Sequence, residues 1–483
     1  MADLDAARRE LEAALGADDV LTDPLALRLY ARDASMVEGS AGIVAFPTSV
    51  EQVVAAMRIA AHHGLDVVPR GSGTGLAGGS TPIGEALVLV TSKMRRIVEV
   101  RTGDRLAWIE PGVFNLDVST HVRPTGFTYA PDPSSQQVSS IGGNVNTNAG
   151  GPHCLAYGVT SAHVLALDVV LPDGRLVRLG SEGPAAPGYD LRGFVIGSEG
   201  TLGIVVGVGI RLTPIAPAVR TMLLDFPTVE DCARTVSRII ANGVVPAAME
   251  MMDQGIVRAA EDFAHAGYPT DAAAILLVEV DGLEAGVEAQ TREVEAAATA
   301  HGVRTVRIAA DETERTLLWK GRKSAFGAVA RIAPHYHLHD CVVPRTKLAP
   351  MLTGVYAIAR KHDLIVTNVF HAGDGNLHPL FSFDRTVPGT LERVLAASDE
   401  LVRLCVDAGG ALSGEHGIGL EKRDFMPLVF SQDDLDAQAC LRAAFDPEGR
   451  MNPRKVLPDG ARCGDFAAAA MARGGALPEG TWI

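Results

Sequence analysis

The sequence predicts an α+β protein of two domains. Three observations carry this. Strand-like apolar runs and helical stripes alternate through the first half without an internal repeat. The texture changes after Pro214 and Pro217, where longer strands and helices take over. Glycine, 51 residues of 483, gathers in a few polar loops rather than recurring with a period. Such loops mark places where backbone comes close to something.

The elements follow in order. Leu4, Leu11 and Leu15 share one face of an opening helix. Ile43–Phe46 reads as a strand. Thr48 and Glu51 stand at capping-box spacing, Val53, Met57 and Ala60 continue a helical stripe, and Gly64 ends it. Val67-Val68 reads as a strand running into a Gly-rich loop. Leu87–Val90 and Leu106–Ile109 look like strands, and Phe114–Val122 like a helix. Leu167–Leu171 and Leu176–Leu179 flank Pro172-Asp173-Gly174, a hairpin with turn chemistry. Beyond a boundary near 217, strand-like Met222–Phe226, helix-like Val229–Ala241, strand-like Ala274–Val280 and helical Glu284–Ala300 alternate as in a ferredoxin-like βαβ sheet. The chain thus divides into a helical segment (1–37), a first domain (38–217), a second domain (218–430), a return segment (431–460) and an Ala/Gly-rich tail (461–483) expected to be poorly ordered.

Composition narrows the class. Apolar residues at 47% and charged residues at 21% fit a globular chain. A net charge of −15 argues against a nucleic-acid partner. Six Cys without a Cys-x-x-Cys pair give neither a zinc ribbon nor an iron–sulfur site, and read as reduced thiols. The N-terminus is acidic and amphipathic, unlike a signal peptide. No apolar run approaches the roughly 18 residues of a membrane span, and Glu199 breaks the longest candidate, Gly193 to Ile210. The expectation is a cytoplasmic protein, with peripheral membrane attachment and a homodimer left open.

Arg70-Gly71-Ser72-Gly73-Thr74-Gly75 follows a strand, and its amides can converge on a phosphate as an anion nest. No Lys-Ser/Thr follows, so it is not a P-loop, and Ala77–Pro82 is a poor helix start, so it is not a Rossmann fingerprint. Two further clusters lie downstream. Pro131–Ser135 leads into Ser139-Ser140-Ile141-Gly142-Gly143-Asn144 and Asn146–Gly151, a stretch too rich in Gly, Ser and Asn to pack an apolar core. Gly197-Ser198-Glu199-Gly200-Thr201-Leu202-Gly203-Ile204 is the third.

These three clusters, in this order, resemble the FAD-binding domain of the vanillyl-alcohol-oxidase/p-cresol-methylhydroxylase superfamily over about residues 38–217. The resemblance implies a two-subdomain FAD-binding domain. It implies that Arg70–Gly75 and Ser140–Asn144 (Gly142 and Gly143 among them) line the FAD pyrophosphate. Asp132, Pro133, Ser134, Asn148, Glu199, Gly200, Gly203 and Ile204 would touch the rest of the cofactor. Some relatives tether the flavin through a His of the first loop. Arg70–Gly79 has no His or Cys, so non-covalent FAD is expected.

The second half carries the titratable groups. His371 and His378 flank an Asp374-Gly375 turn that follows the strand Ile365–Phe370, so folding back can bring them close enough to share a cation. Zn, Mn or Fe would suit imidazole. Two His alone are as often structural. Glu415-His416 inside the Gly-rich bend 409–419 tips the balance: Glu415 would complete two imidazoles and a carboxylate, and His416 would be free as a base.

These motifs resemble the FAD-linked oxidase C-terminal domain of the D-2-hydroxyacid dehydrogenases, over essentially the whole chain. The resemblance implies that His371, His378 and Glu415 ligate a divalent metal, Zn first with Mn or Fe as alternatives, and that His416 is the general base. Arg322, in Leu318–Phe326, stands in the place of the substrate-carboxylate clamp, with Asn376 also on the substrate. Asn452, in the closing motif Asp446–Pro453, would lie near the flavin. Relatives acting on longer diacids add a Lys before the strand at Asp340–Pro344, but His335-Tyr336-His337-Leu338-His339-Asp340 has none. A small monocarboxylate is therefore expected. The run His335, His337, His339 would share one strand face, as a polar surface or as a competing metal site.

The chemistry expected is oxidation of a small D-2-hydroxy acid (glycolate or D-lactate type) to the 2-oxo acid, with metal-assisted proton abstraction and hydride transfer to flavin N5. Electrons would leave to a quinone, an electron-transfer flavoprotein or an iron–sulfur subunit, because no second nucleotide fingerprint is visible. The rival readings are a flavin-dependent transferase of the alkyl-dihydroxyacetone-phosphate synthase type and a non-catalytic flavin subunit of a larger complex.

Overall fold

The structure is a computed structural model describing residues 3–183 and 187–459. The tail expected over 461–483 lies outside the described residues. Leu4–Leu15 is helical and buries Ala7, Leu11 and Leu15 in a core shared with the helix Val50–His63. That second helix is capped one residue later than its sequence suggests. The Ser49 hydroxyl accepts from Gln52 N at 3.3 Å, and Thr48 N donates to Gln52 Oε1 at 2.7 Å. Gln52 thus plays the reaching-back role that spacing assigned to Glu51. Gly64 ends the helix at φ +65°, as a left-handed cap requires.

The first half holds two sheets. In one, Ala41–Ala45 and Val67–Arg70 both pair parallel with Ala86–Val90, and Val20–Leu21 adds an antiparallel edge. Covered faces explain why Ala86–Val90 is an unbroken apolar run. The other sheet has five antiparallel strands in the order Ile97–Arg101, Leu106–Ile109, Ile204–Arg211, Val164–Val170, Leu176–Gly180. Val164–Val170 and Leu176–Gly180 form the expected hairpin, with Gly174 at φ +80° in its turn. One sequence expectation fails here. The Gly/Ser/Asn-rich stretch does contribute to a core, because Ile141–Thr147 is a short helix. Ile141 and Val145, four apart, point into the second core and leave the small polar residues for the opposite side.

The second half opens at Ala218 on a larger antiparallel sheet. Its first four strands run Thr305–Ile308, Ala218–Phe226, Ala274–Gly282, Ala248–Asp253. With Val229–Ala241 after the first strand and Glu284–Ala300 after the third, this is the ferredoxin-like order. Met222, Leu224, Val278 and Val280 are fully buried beneath those helices, each such side chain contributing about 1.5–3 kcal/mol. Ile365–His371 extends the sheet beside Ala248–Asp253, and His335–Leu338 joins through Pro379–Phe383.

The return segment crosses back to the first half. Met451 bridges Val67, and Asn452 N donates to Val67 O at 2.7 Å. Among the described residues no helix is long and apolar enough to cross a membrane. Among the described residues Cys154, Cys232, Cys341 and Cys405 are free thiols.

Candidate active site

A cavity of about 490 Å³ opens between the two halves. Its long wall is the first half's loops: Arg70–Gly75 after the strand Val67–Arg70, Pro133–Ser135, Ser139–Asn144, and Glu199, Gly200 and Ile204. Its far end is the second half: Lys323, Phe326, Tyr336, Leu338, Glu415 and His416. Stretches that lie more than 100 residues apart in sequence, such as those at Ile204 and Lys323, therefore face one space.

Four residues expected at the cofactor do not line this wall. The Asp132 carboxylate instead takes His153 Nδ1 at 2.9 Å, and His153 Nε2 reaches Glu279 at 3.3 Å in the second half. Burial works against charge on His153, but Asp132 and Glu279 outweigh it and lift its pKa to about 10. Asn148 is the left-handed C-cap of Ile141–Thr147, and its Oδ1 accepts from Ser161 N. Gly203 immediately precedes the strand Ile204–Arg211 at φ +156°, where an added Cβ would lie 2.8 Å from Val169. Asn452 Nδ2 donates to Gly79 O at 2.7 Å and to Glu199 O at 2.6 Å, so it ties two loops together.

The wall fits FAD. Ser139 Oγ, Ser140 Oγ, Asn146 Oδ1 and Glu199 Oε2 are buried without a partner, and all four residues line the cavity. Buried polar atoms are rarely left so, and a polar ring and pyrophosphate would satisfy them. A Cβ on Gly71 would lie 2.2 Å from Ser140 Oγ, so the glycine leaves room for that hydroxyl where the two loops meet.

At the cavity's end the chain brings His371, His378 and Glu415 together. Glu415 Oε1 lies 3.2 Å from His371 Nε2 and 3.1 Å from His378 Nε2. One ligand atom from each lies within 4.8 Å of the others. The opposite ring nitrogens are taken: His371 Nδ1 meets Glu250 Oε1 at 2.7 Å and His378 Nδ1 meets His339 O at 3.1 Å. That fixes both rings with Nε2 facing the same point, as ligating imidazoles require. The donor set fits a divalent cation. Gly150 permits the approach of Glu415 to the first half, since a Cβ there would lie 2.9 Å from Glu415 Oε2.

His416 stacks on His378 with ring centroids 5.1 Å apart. Burial pushes its pKa down to about 4, against the pull of Asp340. Asp340, Glu250 and the tie from Glu199 escaped sequence reading. One oxygen of Asp340 accepts from Ser413 Oγ at 2.5 Å, Gly414 N at 2.9 Å, Glu415 N at 3.2 Å and His416 N at 3.0 Å. That oxygen shapes the bend carrying Glu415 and His416. Asp340→Ala is expected to cost about 3–5 kcal/mol, the scale of breaking a buried charge pair, because Lys422 and those amides lose their acceptor. Denaturant unfolding checks this, and Asp340→Asn should recover the share that belongs to the backbone amides but not the share that belongs to the Lys422 charge.

Arg322, expected as a clamp, is fully buried and held by Glu250 through Nε at 2.8 Å and Nη2 at 2.6 Å. Asn376 does not line the cavity. Its amide packs behind Gly414, where a Cβ would lie 2.5 Å from Nδ2. The His335, His337, His339 run forms no metal-ligand group among the described residues. His337 faces Glu421 at 3.7 Å, His339 meets Ser398 Oγ at 3.1 Å, and His335 packs near Phe383. Asp311–Arg315, which reads as a solvated helix start, sends Arg315 inward to Glu279 at 2.9 Å.

Comparison with known proteins agrees with this architecture. Residues 41–180 match the FAD binding domain model, and residues 215–456 match the model of FAD linked oxidases, C-terminal domain. The chain is 45% identical over 426 residues to the glycolate oxidase subunit GlcD of Escherichia coli K12, covering 88% of this chain and 85% of that one. It is 30% identical over 448 residues to a D-lactate dehydrogenase of Anaerostipes hadrus, covering 91% and 92%. The structure of p-cresol methylhydroxylase with substrate bound shares the fold, at TM-score 0.80 and 17% identity, covering 94% and 96%. The chain belongs to the FAD-linked oxidase family, an α+β oxidoreductase with a FAD-binding first half and a FAD-linked oxidase C-terminal domain.

Proposed function

We propose that the protein oxidises a small D-2-hydroxy acid, of the glycolate or D-lactate type, to the 2-oxo acid. The observation that carries this is the shared cavity, with flavin-fitting loops on one side and Glu415 and His416 at its end. The names of the relatives, a glycolate oxidase subunit and a D-lactate dehydrogenase, point the same way.

FAD, when bound, supplies the two-electron acceptor. A divalent cation (Zn, with Mn or Fe as alternatives) held by His371, His378 and Glu415 would supply positive charge beside the substrate hydroxyl. His416 is the base that takes the hydroxyl proton, from a ring already set parallel to His378. Arg322, beside the cavity-lining Lys323 on the same helix and oriented by Glu250 through Nε and Nη2, is the residue assigned to the substrate carboxylate. Glu250 therefore orients both that guanidinium and the His371 ring. Phe326 and Leu338 give the far wall an apolar surface that excludes water. Electrons pass on to a quinone, an electron-transfer flavoprotein or an iron–sulfur subunit.

An anaerobic panel of D- and L-2-hydroxy acids tests the reading. Bleaching of the flavin by glycolate or D-lactate is the expected result. A flavin that no 2-hydroxy acid reduces would favour the transferase or the non-catalytic subunit instead. The FAD is held without a covalent bond, since the loop Arg70–Gly79 offers no His or Cys. Acid precipitation should leave the yellow colour in the supernatant, and a yellow pellet would overturn this.

A further inference from the structure

Glu199 is set as a clasp between the two halves. It belongs to the first half's third glycine cluster, yet its Oε1 accepts from Ile418 N at 2.6 Å and Gly419 N at 3.1 Å, just past Glu415 and His416. Its Oε2 is buried without a partner and the residue lines the cofactor cavity. The carboxylate is closely enclosed. A Cβ on Gly79 would lie 3.0 Å from Oε2, and one on Gly417 would lie 2.8 Å from Oε1. The backbone is held as tightly, at φ +53°, with Glu199 N donating to Asn146 O and Glu199 O accepting from Asn452. A non-glycine residue in the left-handed region costs free energy, which fits a position fixed for what its side chain does.

We propose that Glu199 couples the cofactor to the catalytic bend: Oε1 holds the Ile418 and Gly419 amides, and Oε2 accepts from an N–H or O–H of the bound FAD. Loss of the carboxylate loosens both partners at once. The proposal rests on FAD occupying this cavity and not on the identity of the substrate. Failure of the hydroxy-acid reading would leave it standing, because no hydroxy acid enters the test.

The test uses the FAD-loaded protein at pH 8.5, above the value of about 7 to which burial pushes this carboxyl. Two quantities are read: FAD release by flavin fluorescence, and hydrogen–deuterium exchange across residues 414–422. In Glu199→Ala, FAD release should quicken by about tenfold or more, the scale of a hydrogen bond to a charged group. Exchange at Ile418 and Gly419 should rise by a similar factor. In Glu199→Gln the amide oxygen replaces Oε1 and its NH2 faces the cavity. Exchange should then return to the wild-type rate while FAD release stays fast. Wild-type FAD release in either variant would overturn the cofactor contact, and wild-type exchange in Glu199→Ala would overturn the link to the bend. If Glu199→Ala does not fold, Glu199→Gln decides alone, since its FAD release must exceed that of the wild type.

Discussion

His416→Ala is expected to slow anaerobic flavin reduction by glycolate or D-lactate by about 10²–10⁴-fold, the usual cost of losing a positioned base, with FAD still bound. The structure separates these two outcomes. His416 is on the cavity's end wall, while the FAD-fitting loops belong to the first half. Its neighbours also stand without it. Asp340 holds the bend through backbone amides, and Glu415 keeps both Nε2 partners. Stopped-flow absorbance reads the rate, and the flavin spectrum reads occupancy. Near-normal reduction in His416→Ala would remove this residue from the mechanism.

Stripping the cation proposed for His371, His378 and Glu415 should have an effect of comparable size. A divalent charge beside a developing alkoxide is worth several kcal/mol, and about 4 kcal/mol corresponds to about 10³-fold in rate. Chelation of the wild type should therefore suppress turnover, and added Zn or Mn should restore it. His378→Ala should do the same irreversibly, because it removes one of the two imidazoles that face Glu415 Oε1. It also leaves a buried carboxylate with one fewer partner. Full turnover in a preparation shown by elemental analysis to be metal-free would dispose of the metal role.

What the sequence shows of this fold follows from periodicity. Val229–Ala241 and Glu284–Ala300 have the bounds their patterns predict, because each presents one apolar stripe to the sheet. The strand Ala248–Asp253 was harder to see. All six of its residues are buried, with Met249 and Met251 in one core and Ala248 and Met252 in another, so no alternation marks it. Glu250 went unread with that strand, although a carboxylate inside an apolar run is itself a signal.

The candidate ligands were legible because Gly-flanked His and Glu have few structural reasons to be there. Their supports were not. Asp340 reaches the bend across 73 to 76 residues, and Glu199 reaches Ile418 across 219. The family resemblance places Asp132 with Pro133 and Ser134 at the cofactor, whereas in the structure its carboxylate pairs with His153. That pairing spans 21 residues and forms only where the loop folds back.

The most direct test is anomalous diffraction at the metal edge from crystals of the FAD-loaded enzyme. One strong peak is expected at about 2.0–2.2 Å from His371 Nε2, His378 Nε2 and a Glu415 oxygen, at the end of the cavity that holds the flavin. Metal-soaked crystals with no peak there, or with the flavin bound outside that cavity, would contradict that arrangement.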